Sequence, residues 1–182
     1  AGSLNVLLTD KTGTLTKGIL KVTEFVTPDN KVFKDVSEVK KCKNYEVMYK
    51  SFYYNNASII SDTGIIGGNS TDRALMSFIG SDKNIKDKVI KKEPFDSKYK
   101  YSSVTLSNGV TYYKGALEVI MPKCKKYLNS FGSEVSLVNK SVILKKINMY
   151  TKASGRVLVF AYGECFDELT LLGFVNIKDE LR

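Results

Sequence analysis

The sequence predicts an α+β fold, a twisted antiparallel β-sheet flanked by helices. Three observations carry this: short apolar and β-branched runs separated by turn residues, two stretches of helical periodicity, and no regular alternation of strand with crossover helix. Leu4–Leu8 reads as a buried strand ending at Thr9-Asp10. Lys21–Val26 and Lys31–Phe33 flank Pro28-Asp29-Asn30 and read as a hairpin. From Val36 to about Asn56 the pattern is helical, with Val39, Cys42, Val47 and Met48 among lysines and glutamates. A Gly/Asn/Ser-rich loop from Thr63 to Ser70 follows, and Ser70 or Thr71 is expected to cap a helix carrying Ala74, Leu75, Phe78 and Ile79. Lys88–Phe95, Tyr101–Leu106 and Val110–Tyr113 read as strands, the last two joined by Ser107-Asn108-Gly109, a tight-turn signature. Gly115 opens a short helix stopped by Pro122, and Asn139–Ala153 is an amphipathic helix stopped by Gly155. Val157–Tyr162 and Leu169–Ile177 complete the sheet.

Composition narrows the function classes. The 182 residues are 43% hydrophobic and 26% charged, enough for a well-cored domain and unlike a disordered or collagenous chain. No apolar run approaches the roughly 18–20 residues of a membrane-spanning helix, and the first residues lack a signal-peptide pattern, so the chain reads as a soluble piece. Cys42, Cys124 and Cys165 lack metal or redox spacing and read as small apolar fillers in a reducing compartment. There is no histidine, so chemistry must run on carboxylates, lysines, arginines and hydroxyls. The formal charge of +9 suits nucleic acid or a small polyanion such as a nucleotide, and the scattered lysines read mostly as solvated faces.

The most specific string is Asp10-Lys11-Thr12-Gly13-Thr14-Leu15-Thr16. An aspartate directly after an apolar strand sits at the strand's carboxyl end, where open α/β sheets place reactive groups. A carboxylate there can attack phosphorus and become an aspartyl phosphate, while glycine and threonine hydroxyls accommodate phosphate oxygens. The string resembles the phosphorylation signature of P-type ATPases. Related phosphatases carry a second acid two residues after the nucleophile, and Thr12 stands there instead, which favours a pump over a phosphatase with a large cap domain.

Further stretches carry the same resemblance in the same order. Phe95-Asp96-Ser97-Lys98-Tyr99-Lys100-Tyr101-Ser102-Ser103-Val104 is similar to the family's Phe-(x)4-Lys-x-x-Ser-Val stretch, which implies Phe95 stacked on adenine and Lys100 lining the pocket. Lys114-Gly115-Ala116 is similar to the Lys-Gly-Ala motif, with Lys114 reaching the nucleotide and Gly115 leaving space for the ring. Thr71-Asp72-Arg73-Ala74-Leu75 resembles Thr-Glu-x-Ala-Leu, whose acid faces adenine, and Asp72 doubles as a first-turn charge. Arg156-Val157-Leu158 resembles the strand whose arginine approaches the phosphates, a task suited to a guanidinium fork.

The resemblance implies a type II cation pump and the following organisation. Residues 1–19 are the start of the phosphorylation domain, 20–175 the nucleotide-binding domain and 176–182 the return segment. Asp10 is the phosphorylated aspartate, with Lys11 and Thr12 beside it. Asp10 and Thr12 hold Mg2+ together with parts of the phosphorylation domain beyond residue 182. Asp72, Phe95, Lys100, Lys114, Gly115 and Arg156 bind ATP. The partners implied are ATP and the remaining phosphorylation, actuator and transmembrane parts of the same pump, with no nucleic acid, and with the membrane reached only through the parent chain. A monomeric domain on the cytoplasmic side, binding ATP without hydrolysing it, is expected. The remaining alternative is a basic interaction module without nucleotide binding, to which the net charge alone would lend itself.

Overall fold

A computed structural model describes residues 16–153 and 155–181. The expected strand at Leu4–Leu8 and the Asp10–Thr16 motif up to residue 15 lie outside the described residues. The strands are β1 (Thr16–Val26), β2 (Val32–Phe33), β3 (Ser58–Ser61), β4 (Gly64–Gly67), β5 (Val89–Asp96), β6 (Tyr101–Leu106), β7 (Thr111–Gly115), β8 (Cys124–Leu128), β9 (Glu134–Ser136), β10 (Arg156–Gly163) and β11 (Leu169–Leu181). The helices are α1 (Val36–Lys40), α2 (Tyr45–Tyr49), α3 (Ser70–Ile79), α4 (Leu117–Ile120) and α5 (Ser141–Lys152).

The main sheet runs β2-β1-β11-β10-β7-β6-β5, antiparallel throughout, in keeping with the α+β expectation. Where β1 stops, opposite Phe174, β8 takes over the same edge of β11 as a parallel neighbour, and β9 pairs with β8. β1 and β11 pair from Val26–Phe174 to Thr16–Leu181, with register shifts between Thr16 and Leu20 and between Val22 and Glu24.

Alternation along the central strands builds two cores. On β10, Leu158, Phe160 and Tyr162 face α2 and α3, while Val157, Val159 and Ala161 face α4 and α5. On β11 the alternation changes phase: Leu169 and Leu171 face the α5 side, Leu172 the other, and then Phe174 returns to the α5 side. A bulge accounts for this, since Phe160 pairs with Gly173 and Ala161 with Leu171, leaving Leu172 as the extra residue. Gly173 makes it possible: its φ is 143°, and a Cβ there would fall 2.3 Å from the Val26 carbonyl oxygen. The first core is aromatic at its centre, with Phe52 packed 4.4 Å from Phe160 and 5.7 Å from Phe25, ring centre to ring centre.

Several elements differ from expectation. The helical stretch from Val36 divides because Asn44 turns inward, its amide donating to the Asn129 carbonyl at 2.7 Å, so α1 and α2 are separate. α2 then widens into a π-helical turn at Lys50–Tyr54 that ends at Asn55. The glycine-rich loop contains β4, which forms a two-stranded sheet with β3. Its isoleucines, Ile59, Ile60 and Ile66, stay exposed, so no buried alternation marks it. Asn69, rather than Ser70 or Thr71, caps α3, accepting from the Asp72 amide at 2.8 Å. Of the cysteines, Cys124 is a buried filler, whereas Cys165 is exposed.

Burial holds the hydroxyls of Tyr45, Tyr49, Tyr112, Tyr113, Tyr150 and Tyr162 above the usual tyrosine value, and carboxylates beside Tyr45 and Tyr162 add to it. A raised folded value gives stability that is present below the unfolded value of 10.0 and is lost as pH rises past it. Lys92 and Lys114, held below the usual lysine value, pull the other way and are outnumbered. Urea midpoints are therefore expected to change little up to about pH 9 and to fall steeply above about pH 10, with tyrosinate absorbance appearing together with unfolding.

Candidate functional site

A cavity of about 570 Å3 lies between β5, the ends of β6 and β7, the start of α3 and the chain just after the π-helical turn. Its lining is mainly apolar with a few convergent polar groups, the usual make-up of a small-molecule site. At its floor Lys114, the fourth residue of β7, is 7% exposed. Its ammonium donates to Asp72 Oδ1 and, at 2.5 Å, to the Asn55 carbonyl. Asp72 is 6% exposed, so both charges are out of water, and burial pushes the lysine below its usual range against the pull of Asp72.

Two consecutive asparagines hold the floor in place. Asn55 Nδ2 donates to the carbonyls of Ser102 and Tyr112, each at 3.1 Å, joining the end of the π-helical turn to β6 and β7. Asn56 Nδ2 donates to the carbonyls of Phe52 and, at 2.9 Å, Asp72, while its Oδ1 accepts from the Ser58 amide at 2.8 Å. Lys92 enters from β5 with its stem exposed and its ammonium turned inward onto the Asn56 carbonyl; burial lowers its affinity for a proton. Such a posture reverses the usual snorkelling of lysine.

The walls place the other expected residues. Phe95, an aromatic that would ordinarily be buried, is 55% exposed and lines the cavity, so its ring is available to a ligand. Asp72, Phe95 and Lys114 are thus brought to one cavity. Lys100, Gly115 and Arg156 are not among its lining residues. Lys100 stands in a left-handed turn at φ 59° and pairs with Glu118 at 3.0 Å on the surface. Gly115 leaves room for the protein itself rather than for a ring: a Cβ there would fall 2.6 Å from both the Lys100 carbonyl oxygen and Tyr101 Cβ. Arg156 is exposed, two residues before the lining Leu158 and so on the same face of β10. Asp10, Lys11 and Thr12 lie outside the described residues. Asn55, Asn56, Lys92 and Ser102 went unread in the sequence. The paired asparagines closing a helical stretch were the available signal.

The model of the P-type ATPase cytoplasmic domain N matches residues 44–182. The chain belongs to the P-type ATPases. The plasma membrane-type calcium-transporting ATPase 12 of Arabidopsis thaliana is 32% identical over 208 residues, covering 100% of this chain and 20% of the relative. The plasma membrane-type calcium-transporting ATPase 7 of Oryza sativa is 30% identical over 212 residues, with the same coverage of both. The human calcium-transporting ATPase type 2C member 2 is 31% identical over 215 residues, covering 100% of this chain and 22% of the relative. The chain spans about a fifth of the length of these curated relatives. Among the described residues no helix is long and apolar enough to cross a membrane.

Replacing Lys114 strands a carboxylate. Lys114→Met is expected to cost about 3 kcal/mol, because Asp72 keeps its buried position without its counter-ion, and the double variant Lys114→Met/Asp72→Leu is expected to recover most of that loss. Urea denaturation of the three proteins checks the order.

Proposed function

We propose that this chain binds ATP as the nucleotide-binding part of a calcium-transporting P-type pump of type II. The single observation that carries the reading is Phe95, an aromatic ring left exposed on the wall of a cavity whose floor holds a buried ammonium. An exposed ring offers a face to a purine, and a net positive floor suits an anionic nucleotide. The residues present fit such a group: an aromatic platform, and Lys114 and Lys92 as cations. Arg156, exposed on the strand that supplies Leu158, is the candidate to approach the phosphates where they leave the cavity. Lys100 and Gly115 act on the ligand through the wall, since they set the turn between Phe95 and β6.

In the intact pump, Asp10 would accept the γ-phosphoryl group with Lys11 and Thr12 beside it, and Asp10 and Thr12 would take part in holding Mg2+. That ion would supply charge neutralisation at the transferring phosphate. Calcium as the cargo follows from the relatives' names. These 182 residues alone are proposed to bind ATP without hydrolysing it, because the cavity grips the base end and phosphoryl transfer depends on positioning at Asp10.

Two-dimensional amide NMR with ATP tests the reading. Shifts are expected at Phe95, Ser102, Lys114 and Asp72, with an affinity in the region of about 1 mM, equivalent to about 4 kcal/mol. Phe95→Ala is expected to weaken binding about fivefold or more through lost stacking. An unchanged spectrum at about 5 mM ATP would overturn the proposal.

A further inference from the structure

The sheet face opposite the cavity carries α5, and this helix leaves part of its surface uncovered. Ile143 and Ile147 pack against the sheet, while Val142 and Met149, two turns apart on one stripe, are each 66% exposed. A groove of about 210 Å3 runs beside that stripe, between α5 and the turn that joins β1 to β2. Pro28 and Asn30 form one wall, and the buried Ile143 and Phe174 form the floor. The helix supplies the other wall with Val142, Lys145, Lys146 and Met149. The turn is pinned in place. The Asp29 carboxylate accepts from the Thr27 hydroxyl at 2.6 Å and from the Ser130 amide and hydroxyl at 2.9 and 2.7 Å.

Charge on this face has one sign. Residues 135–163 include Lys140, Lys145, Lys146, Lys152 and Arg156 and contain no aspartate or glutamate. Among the described residues no lysine of α5 pairs with a carboxylate. The acids on neighbouring elements are committed elsewhere: Asp29 to Thr27 and Ser130, and Glu24 on β1 to the Tyr150 hydroxyl. Lys146 lies over the Tyr150 ring at 5.7 Å, a contact that leaves its charge uncompensated. An apolar floor beside unpaired ammoniums is complementary to carboxylates flanking an aliphatic or aromatic side chain. A lipid surface is flat and leaves a concavity unfilled, and a phosphodiester backbone has no apolar group to cover Val142 and Met149.

We infer that this groove is a docking site for an acidic peptide segment, one apolar side chain of which enters between α5 and the β1–β2 turn while its carboxylates meet Lys145 and Lys146. Phe95 and Lys114 lie on the other face of the sheet, so the inference stands or falls independently of the nucleotide reading.

The test is amide NMR of the whole chain with three synthetic peptides. The first is Glu-Glu-Leu-Phe-Glu-Glu-Leu-Leu-Glu-Glu, the second has serine at every apolar position, and the third has lysine at every acidic one. The first peptide is expected to shift the amides of Val142, Lys145, Lys146 and Met149 and of the turn at 27–30, with an affinity of about 0.1 mM that weakens as salt rises. The serine peptide is expected to bind about tenfold or more weakly, and the lysine peptide to shift nothing. Lys145→Glu/Lys146→Glu is expected to weaken the first peptide about tenfold or more, and Val142→Ser/Met149→Ser about three- to tenfold. Both variants should keep the wild-type amide pattern away from α5, which separates lost docking from lost folding. An unchanged spectrum at about 1 mM of the first peptide, equal binding of the serine peptide, or wild-type binding by either double variant overturns the inference. Movement of these amides with phosphatidylserine vesicles or double-stranded DNA, and not with the peptide, assigns the face to another class of partner and overturns it too.

Discussion

The buried pair between Lys114 and Asp72 is the constraint on which the site depends. It joins the end of β7 to the first turn of α3, and through the Asn55 carbonyl it takes in the close of the π-helical turn. Buried charges need further hydrogen bonds beside the ion pair, and here two successive backbone carbonyls, of Asn55 and Asn56, accept from the Lys114 and Lys92 ammoniums. Those carbonyls are aimed by Asn55 and Asn56, whose side chains in turn fasten β6, β7 and α3. The π-helical turn at Lys50–Tyr54 stops at Asn55, and the carbonyls of Asn55 and Asn56, at and just beyond that end, are free of intrahelical amides and reach the two lysines.

A second chain of contacts sets the wall. Gly115 lets β7 pass against the turn before β6, the Ala116 amide holds the Lys100 carbonyl at 3.0 Å, and Lys100 accepts a left-handed conformation there. The start of this turn is Phe95-Asp96, with the Lys100 amide donating back to the Asp96 carbonyl at 2.6 Å. A glycine and a lysine that do not line the cavity thus fix where the exposed aromatic ring stands. Their place in the sequence pattern has a mechanical explanation that needs no direct contact with a nucleotide.

Elements with local signatures were legible. Ser107-Asn108-Gly109 gave the β6–β7 hairpin, with Gly109 at φ 83°, and the periodicity of α5 and the apolar runs of β10 and β11 matched the sheet. Phe95, Lys114 and Asp72 were read from short motifs and do meet in one cavity. What sequence could not show was long-range. The capping by Asn69, the interruption at Asn44 and the β3–β4 pair depend on partners or exposure that neighbouring residues do not reveal. Lys91 and Lys92 look alike in a row, yet one pairs with Glu93 on the surface and the other turns into the cavity. Alternation on a strand separates them, but the bulged pairing of β5 had to be seen before either could be assigned a side. Ser102 gave no signal at all, because only the tertiary structure shows that its hydroxyl has no partner.

β5 forms one edge of the main sheet and is exposed along its whole length, as it must be if Phe95 is to be reached. An open edge is also a template on which another chain can add a strand, and Val89 and Ile90 begin this one with apolar surface. Pro94 removes an amide from the strand, Lys91 and Glu93 place charge on it, and the irregular pairing between Glu93 and Asp96 twists it out of register. The same eight residues thus expose an aromatic ring and carry the proline, charge and irregular pairing that oppose strand addition at the edge.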